Sequence, residues 1–499
     1  MSGHRYILAI DQGTTSTRSI VFDDQGGVAG ADQREFAQSY PQPGWVEHDP
    51  EIIWRDVVET ARAALSRADL TAGQVVAIGI ANQRETVVVW DRGSGQAIYP
   101  AIVWQDRRTT NRCDTLRDAG HEALVQARTG LRLDPYFSAS KLAWILDHVA
   151  GARTAAERGE LACGTIDAFL LWRLTGGRVH ATDATNASRT LLFDIHRQIW
   201  DEDLLRLFDI PRSLLPTVCD NSFAFGETDA AILGAAVPIR GMAGDQQAAL
   251  IGQACFDEGM IKATYGTGCF MLMNTGSQPV VSNTRLLTTV AYRLDGRATY
   301  ALEGSIFVAG AAIKWLRDQL GLIVRASDTS SMATSVPDGH GVYMVPAFLG
   351  LGAPYWDPLA KGLIHGLTLD ASAAHIARAA LESVAFQTHD LVEAMFADGA
   401  SRPSALRVDG GMAANDWLCG FLSSIINAPV ERPDNVETTA LGVAFLAGLG
   451  AGLWPDLAAI SEGWRLDRRF DPAMAPEHRD HCLEGWKDAV ARARYRPAP

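Results

Sequence analysis

Residues with phosphate-binding chemistry follow the first apolar run of the chain. Residues 11–18 (DQGTTSTR) place an acid, a glycine, hydroxyl groups and an arginine directly after Tyr6–Ile10. Turn amides and hydroxyls can donate to phosphate oxygens, the arginine adds a matching charge, and Asp11 can hold Mg²⁺ directly or through water. The candidate phosphate-binding residues are Thr14, Thr15, Ser16 and Arg18. The P-loop pattern GxxxxGKS/T is absent, and a hairpin whose hydroxyls only satisfy its own turn is the alternative.

Two glycine-containing turns in the second half of the chain have related potential. Residues 266–268 (GTG) separate two apolar runs, and residues 408–415 (VDGGMAAN) are typical of a strand, a tight turn and a helix start. Glycines at the second turn would permit close packing of a flat base or ribose, and Asn415 can hydrogen-bond to it. Taken alone, each turn is more typical of an ordinary structural connection.

Charged residues at the ends of apolar runs indicate a site that recognises hydroxyl groups. Arg84 and Glu85 are adjacent between two such runs and can clamp hydroxyl groups, although surface ion pairs have the same pattern. Asp245 follows the small-residue segment Gly241–Gly244 and can accept a proton from an attacking hydroxyl. A structural role for Asp245 as a helix N-cap is the alternative.

Alternating strands and helices must position these residues. The apolar runs predict strands at Tyr6–Ile10, Arg18–Phe22, Val75–Ile80, Thr86–Trp90, Met260–Tyr265 and Cys269–Met273. Asp49 suits the N-cap of a long helix with Pro50 at its first position, and a terminal helix is predicted over His481–Arg494. Because a hairpin with a small-residue tip opens each half, we predict two copies of one α/β fold with a hinge near residues 245–260.

Composition and missing motifs exclude several classes of function. The 499 residues contain 44 Lys and Arg against 58 Asp and Glu, a net charge of −14 that opposes nucleic acid and anionic membranes. Seven scattered cysteines without a CxxC pattern favour a reducing cytoplasm, and the short N-terminal apolar run does not resemble a signal peptide. HExxH, GxSxG and GxGxxG patterns and long apolar runs are absent, so zinc hydrolase, serine hydrolase, dinucleotide and integral membrane functions are unsupported.

Together these segments resemble the FGGY carbohydrate kinase family, from Ile7 to about Leu453. Two family signatures are present, at residues 136–145 (YFSASKLAWI) and across residues 362–382. Five further segments are similar to family members that act on glycerol: residues 44–50 (GWVEHDP), 82–86 (NQRET), 104–109 (WQDRRT), 244–250 (GDQQAAL) and 346–357 (PAFLGLGAPYWD). The many matches in one order make the resemblance specific.

The resemblance implies the α/β actin-like ATPase fold, with two duplicated RNase H-like domains and an interdomain cleft. We expect an N-terminal domain over residues 1–252 that binds polyol and phosphate, and a nucleotide-binding domain over residues 253–455. Residues 456–499 would form a C-terminal tail with a terminal helix. A cytoplasmic homodimer or homotetramer is also implied, with neither a nucleic-acid partner nor an integral membrane segment.

The implied reaction is ATP-dependent phosphorylation of glycerol to sn-glycerol 3-phosphate in glycerol catabolism, with Mg²⁺ at Asp11 and Asp245 as general base. The implied substrate residues are Arg84, Glu85, Trp104, Tyr136, Asp245, Gln246 and Phe270. The implied nucleotide residues are Thr14, Thr15, Ser16, Arg18, Thr267, Gly310, Lys314, Gly411 and Asn415. Lys314 departs from the family, which often has Gln there. Alternatives are a kinase of another small polyol or ketose and a non-catalytic, nucleotide-driven binding protein.

Overall fold

The computed structural model describes residues 5–399 and 403–496, which form a mixed α/β structure. The strands are β1 (Tyr6–Gln12), β2 (Ser16–Phe22), β3 (Val28–Glu35), β4 (Glu47–His48), β5 (Val75–Asn82), β6 (Val87–Asp91), β7 (Ala101–Ile102), β8 (Leu161–Thr165), β9 (Ala181–Asp183), β10 (Phe193–Asp194), β11 (Ile199–Trp200), β12 (Thr217–Cys219), β13 (Ile239–Gly244), β14 (Ile261–Tyr265), β15 (Cys269–Gly276), β16 (Leu287–Leu294), β17 (Arg297–Ile306), β18 (Tyr343–Val345), β19 (Leu363–His365), β20 (Leu406–Asp409), β21 (Val430–Pro433) and β22 (Leu466–Phe470).

The helices cover both faces of the sheets. They are α1 (Pro50–Arg67), α2 (Thr110–Asp118), α3 (Glu122–Thr129), α4 (Ser138–His148), α5 (Ala152–Glu157), α6 (Ile166–Leu174), α7 (Ala184–Ala187), α8 (Glu202–Phe208), α9 (Ala230–Leu233), α10 (Asp245–Gly252), α11 (Gly310–Asp318), α12 (Asp328–Ser335), α13 (Ala373–Ala397), α14 (Asp416–Ile426), α15 (Thr438–Gly450), α16 (Leu457–Gly463) and α17 (Pro476–Ala493). Within the described residues, none of these helices is both long and apolar enough to span a membrane.

The two largest sheets repeat one strand order. In the first half, up to residue 252, the order is β3-β2-β1-β5-β13, with antiparallel pairing from β3 to β1 and parallel pairing onwards. In the second half the order β17-β15-β14-β20-β21 has the same strand directions, and β16 and β22 extend its edges. The same order and directions occur twice, so the predicted duplicated α/β fold is confirmed.

The helices and strands predicted from local sequence signals form in the structure, and their observed boundaries differ from the predicted ones by a few residues. Asp49 accepts a hydrogen bond from the Glu51 amide at 2.9 Å, so it caps α1 as predicted. Both hairpins form, but β1 continues to Gln12 and brings Asp11 into the strand. The terminal helix begins at Pro476 instead of His481, because a proline suits the first helical position.

The two halves share a hydrophobic core below the cleft. Helix α15 of the second half packs against α10 and against β1, β5 and β13 of the first half. A single apolar cluster therefore contains Ile7 and Ala77 together with Leu272 and Val443. The predicted hinge segment consists of α10 and the loop that connects it to β14. This shared base positions residues of both halves around one cleft.

Candidate active site

Arg84 and Glu85 lie at the base of the cleft, in the turn between β5 and β6. Both side chains are almost completely buried. Glu85 has a φ of 62°, a left-handed conformation uncommon outside glycine, and its carbonyl accepts a hydrogen bond from Ser138 Oγ at 3.0 Å. Backbone strain held by its surroundings is typical of functional sites. The turn thus brings the predicted clamp residues together and keeps them away from bulk water.

Two residues that sequence reasoning missed complete this charged group. Glu303 on β17 accepts hydrogen bonds from both terminal nitrogens of Arg84, at 2.5 and 3.1 Å. Arg189, which follows α7, donates to Glu85 at 2.7 Å and to Glu303 at 2.8 Å. Burial acts to raise the pKa of Glu303, but the Arg189 and Arg84 charges outweigh it and leave that pKa below its usual value. The sequence does contain one signal that could have identified Glu303, because it is a single acidic residue within an apolar stretch of β17.

Three aromatic side chains form a wall beside these charges. The Trp104 ring meets the Tyr136 ring edge-on at 5.5 Å between centroids and the Phe270 ring at 6.2 Å. The Trp104 indole donates a hydrogen bond to Thr14 Oγ1 at 3.0 Å, which connects the wall to the first hairpin tip. Apolar ring faces next to a charged clamp suit a short carbon chain that carries hydroxyl groups.

Asp245 and Gln246 open helix α10 on the other side of the clamp. Asp245 Oδ1 lies 3.3 Å from Arg84 Nε and accepts a hydrogen bond from the Gln246 amide at 2.7 Å. Its side chain is 29% exposed, whereas Glu303 and Arg84 are only 1% and 2% exposed, so Asp245 is the accessible carboxylate. Gln246 Oε1 accepts from the buried Lys262 ammonium at 2.5 Å, which leaves the Gln246 amino group for a ligand. Sequence reasoning also missed Lys262.

The two predicted hairpin tips carry the phosphate-binding candidates. In the first hairpin the Gly13 amide donates to the Ser16 carbonyl at 2.9 Å, and the Thr15 side chain is exposed. In the second hairpin Thr267 is exposed between Gly266 and Gly268, whose backbones are hydrogen-bonded at 2.9 Å. Exposed hydroxyls at such tips are free to meet a ligand.

Asp11 and Arg18 lie beside the first tip in acidic surroundings. Burial first, then the neighbouring Asp245 charge, raises the pKa of Asp11 to about 7, and Glu437 adds to the rise while Arg18 opposes it. Arg18 forms an ion pair with Glu437 at the start of α15 and also contacts Gln33. The Arg18 charge is therefore neutralised by a carboxylate of the second half.

A cavity of about 590 Å³ in the second half contains the remaining candidates. Gly310, Lys314, Gly411 and Asn415 all line it, and Gly266 connects it to the second hairpin tip. A Cβ at Gly310 would lie 2.5 Å from the Gly266 carbonyl oxygen, so glycine is required for this close approach. Asn415 caps α14 by accepting from the Leu418 amide at 3.1 Å, and it still faces the cavity.

The predicted site residues thus form two groups in one cleft. The polyol candidates surround Arg84 at the base, and the nucleotide candidates lie at the two hairpin tips and in the cavity. Two of the predicted residues, Arg18 and Arg84, are paired with carboxylates of the opposite half, Glu437 and Glu303. A small polyol at the base and a nucleotide in the cavity would meet between the hairpin tips and Asp245.

The chain is similar to known proteins over its whole length. The family model "FGGY family of carbohydrate kinases, N-terminal domain" matches residues 6–252, and the corresponding C-terminal domain model matches residues 261–451. A glycerol kinase of Gluconobacter oxydans is 63% identical over 499 residues, covering 100% of this chain and 97% of that protein. Glycerol kinase 1 of Pseudomonas aeruginosa is 62% identical over 489 residues, covering 98% and 99%.

Solved structures give the same picture of the fold. The crystal structure of Plasmodium falciparum glycerol kinase with ADP superposes with a TM-score of 0.93 at 37% identity and covers 99% of both chains. A ligand-bound xylulose kinase from Lactobacillus acidophilus superposes with a TM-score of 0.87 at 22% identity, covering 98% of both chains. The latter similarity concerns the fold alone.

Proposed function

The chain belongs to the FGGY family of carbohydrate kinases, and on this premise we propose that it transfers the γ-phosphoryl group of ATP to glycerol, forming sn-glycerol 3-phosphate. Relatives that are 58–63% identical over 98% or more of the chain are glycerol kinases. The observation that carries the proposal is the buried Arg84–Glu85 clamp beside the accessible Asp245 carboxylate. The reaction belongs to glycerol catabolism.

Asp245 is the general base in this proposal. Its Oδ1 is held by the Gln246 amide and lies next to Arg84 Nε, while Oδ2 makes no hydrogen bond within the described residues. Oδ2 is then available to accept the proton of a terminal hydroxyl as that oxygen attacks the γ-phosphorus in line. Arg84, Glu85 and Gln246 orient the hydroxyl groups, and the aromatic wall excludes water from the carbon chain.

The residues at the first hairpin fit a magnesium ion. Asp11 supplies a carboxylate in surroundings acidic enough to raise its pKa to about 7 through burial and Asp245, and a cation would relieve that accumulation of charge. Mg²⁺ in kinases is usually held by one or two carboxylates together with phosphate oxygens and waters. The described residues contain no cluster of three or more His, Cys, Asp or Glu side chains able to hold a metal. When bound, the ion would neutralise charge on the transferring phosphoryl group.

The nucleotide extends from the hairpin tips into the second-half cavity in this proposal. Thr14, Thr15, Ser16, Arg18 and Thr267 meet the phosphates, and Gly310, Lys314, Gly411 and Asn415 meet the nucleoside. The lining of the 590 Å³ cavity by all four of the latter residues supports this assignment. Lys314 brings a positive charge to that lining.

Domain boundaries, location and assembly follow from the family resemblance. We propose an N-terminal domain over residues 1–252, a C-terminal domain over residues 253–455 and a tail over residues 456–499. The end of α10 at Gly252 supports the first boundary.

Scattered cysteines without a CxxC pattern support a cytoplasmic location. A homodimer or homotetramer is expected, and light scattering of the purified protein measures it directly.

A coupled ADP-release assay tests the function. It compares glycerol, dihydroxyacetone, erythritol, xylulose and water alone as phosphoryl acceptors, in the presence of Mg²⁺. Strong turnover with glycerol and little with xylulose is expected, because the clamp and wall suit a short carbon chain. Preference for xylulose would instead support a ketose kinase, and ADP release without any acceptor would support a nucleotide-driven binding protein.

Replacement of Asp245 tests the assignment of the base. Asp245→Asn should lower kcat by at least about 100-fold while the fold is retained, because a positioned base typically contributes that much. Asp456→Asn, at the exposed start of α16, is the matched control, since Asn caps a helix as well as Asp does. Near-native turnover by Asp245→Asn would show that another group takes the proton.

A further inference from the structure

Glu303 and Gln247 together occupy three of the five N–H groups of Arg84. The two carboxylate oxygens of Glu303 accept from Nη1 at 2.5 Å and from Nη2 at 3.1 Å. Gln247 Oε1 accepts from Nη1 at 3.2 Å, so this nitrogen has no hydrogen left to donate. The Nε hydrogen and the second Nη2 hydrogen make no hydrogen bond within the described residues. These two N–H groups share one edge of the guanidinium and point in the same direction.

That free edge faces the place where the acceptor hydroxyl is activated. Arg84 Nε lies 3.3 Å from Asp245 Oδ1, the carboxylate that the proposed function assigns as the base. The Arg84 guanidinium also lies 5.8 Å from the centroid of the Phe270 ring, which belongs to the aromatic wall. A ligand hydroxyl next to Asp245 would therefore be next to the Nε edge of Arg84 as well.

Arg189 prevents Glu303 from turning away. Its Nη2 donates to Glu303 Oε1 at 2.8 Å, and its Nε donates to Glu85 Oε1 at 2.7 Å. The two arginines and two glutamates form a ring of zero net charge, and all four side chains are almost completely buried. The ring is closed by a longer approach of 3.8 Å between Glu85 Oε1 and Arg84 Nε, which is not a hydrogen bond. Such a ring tolerates little movement, because displacing one member leaves another charge buried without a partner.

We propose that Glu303 is a positioning residue that directs the Nε–Nη2 edge of Arg84 at two adjacent hydroxyl groups of the substrate. Parallel N–H donors recognise two neighbouring oxygens better than either donor does alone, and a vicinal diol offers such a pair. Glu303 thereby selects substrates with adjacent hydroxyls, although it does not contact them. The proposal rests on the proposed function, which assigns Arg84 to the polyol.

The test compares glycerol with 1,3-propanediol, which lacks the central hydroxyl. Glu303→Gln removes the charge and places an amino group against the arginine, so the guanidinium loses its orientation. The expected result is a fall of at least about tenfold in kcat/KM for glycerol, carried by KM, with the KM for ATP changed by less than about twofold. The fall for 1,3-propanediol should be smaller, since it engages at most one of the two donors, and the glycerol preference should decrease.

Asp220→Asn is the matched control. Asp220 accepts from Arg293 Nε at 2.6 Å, a partly buried ion pair that connects the same β16–β17 hairpin to the first half of the chain. Loosening the hairpin there should leave both the glycerol KM and the preference over 1,3-propanediol as in the parent. A loss of preference in this control would show that hairpin attachment, and not Glu303, sets it.

Each remaining outcome decides the proposal. A folded Glu303→Gln variant with the parental glycerol KM, or with equal losses for both substrates, would overturn it. If that variant does not fold by circular dichroism, Glu303→Asp, which keeps the charge but withdraws it from Arg84, is measured instead, and an unchanged preference would again overturn it. Failure of the proposed function is separate, because the unsubstituted protein would then not phosphorylate glycerol.

Discussion

A charge taken out of water needs a partner, and the residues of the cleft have theirs at distant positions in the chain. Arg84 and Glu303 are 219 positions apart, and Glu85 and Arg189 are 104 apart. The Arg84–Glu303 contact forms only when both halves are folded, whereas the Glu85–Arg189 contact lies within the first half. The chemistry of Arg84 is therefore determined by Glu303 as much as by its neighbour Glu85.

His180 shows how a single partly buried residue makes stability depend on pH. Its Nε2 donates to the Cys163 carbonyl at 2.9 Å, and Arg92 donates to its Nδ1 at 3.1 Å. Both ring nitrogens are thus used by the neutral form, and a second proton would face Arg92. Burial, only partly offset by the Cys163 hydrogen bond, lowers the pKa of His180 to about 4.

We expect acid to destabilise the protein through His180. Because the pKa is below that of the unfolded chain, near 6.5, the unfolded state binds the proton first and stability is lost as pH falls from about 6.5 through 4. His180→Gln should lose less stability over this range, by on the order of 2 kcal/mol, in denaturant titrations at each pH. His148→Gln, at an exposed position, should behave as the parent; identical acid losses in parent and His180→Gln would contradict the expectation.

At the scale of single elements, helix α4 shows what one family signature does. Lys141 lies in the first turn and is fully buried, and its ammonium donates to the carbonyls of Pro135, Tyr136 and Phe137 at 2.5, 2.7 and 3.0 Å. Burial lowers the pKa of Lys141 to about 8. These three hydrogen bonds hold the segment that precedes the helix around the ammonium group. They thereby fix the backbone position of Tyr136.

Removing this ammonium should disturb the aromatic wall. Lys141→Met leaves three carbonyls without their donor, so we expect a loss of about 3 kcal/mol in unfolding free energy and a several-fold higher KM for glycerol. The KM for ATP should not change, because the nucleotide candidates lie elsewhere. Thermal unfolding and steady-state kinetics measure both effects, with the exposed Lys487→Met as control. Equal KM values in parent and Lys141→Met would refute the assigned role.

At the scale of the whole molecule, the halves are joined where α10 crosses α15. A Cβ on Gly442 would lie 1.8 Å from the Ala248 carbonyl oxygen, and one on Gly252 would lie 2.0 Å from the Thr438 carbonyl oxygen. The two helices therefore touch backbone to backbone, with glycine on each side. Because Asp245 begins α10, this contact also determines where the proposed base lies relative to the second half.

Gly442→Ala should separate the halves. The added methyl group has no space against a backbone atom, so we expect a loss of about 3 kcal/mol or more in unfolding free energy. Gly420→Ala is the matched control, since its Cβ would meet no atom within 4 Å in the interior of α14, and up to about 1 kcal/mol of stabilisation is expected there. Denaturant unfolding compares the two, and equal stability would show that the crossing can yield.

The sequence by itself determined features that depend on neighbouring residues. Apolar periodicity located both hairpins, and capping chemistry located the start of α1, because these depend on backbone conformation and on contacts a few residues apart. The resemblance of whole segments indicated the family and the duplicated fold. It also indicated candidate residues that the structure brings into one cleft.

Only the tertiary structure decided how those candidates are held. Arg189, Glu303 and Lys262 contact the predicted residues Glu85, Arg84 and Gln246 from other elements, and no local pattern relates them. The pairing of Arg18 with Glu437 likewise depends on how the halves meet. The physical reason is that burial and charge neutralisation act between atoms close in space, whatever their separation along the chain.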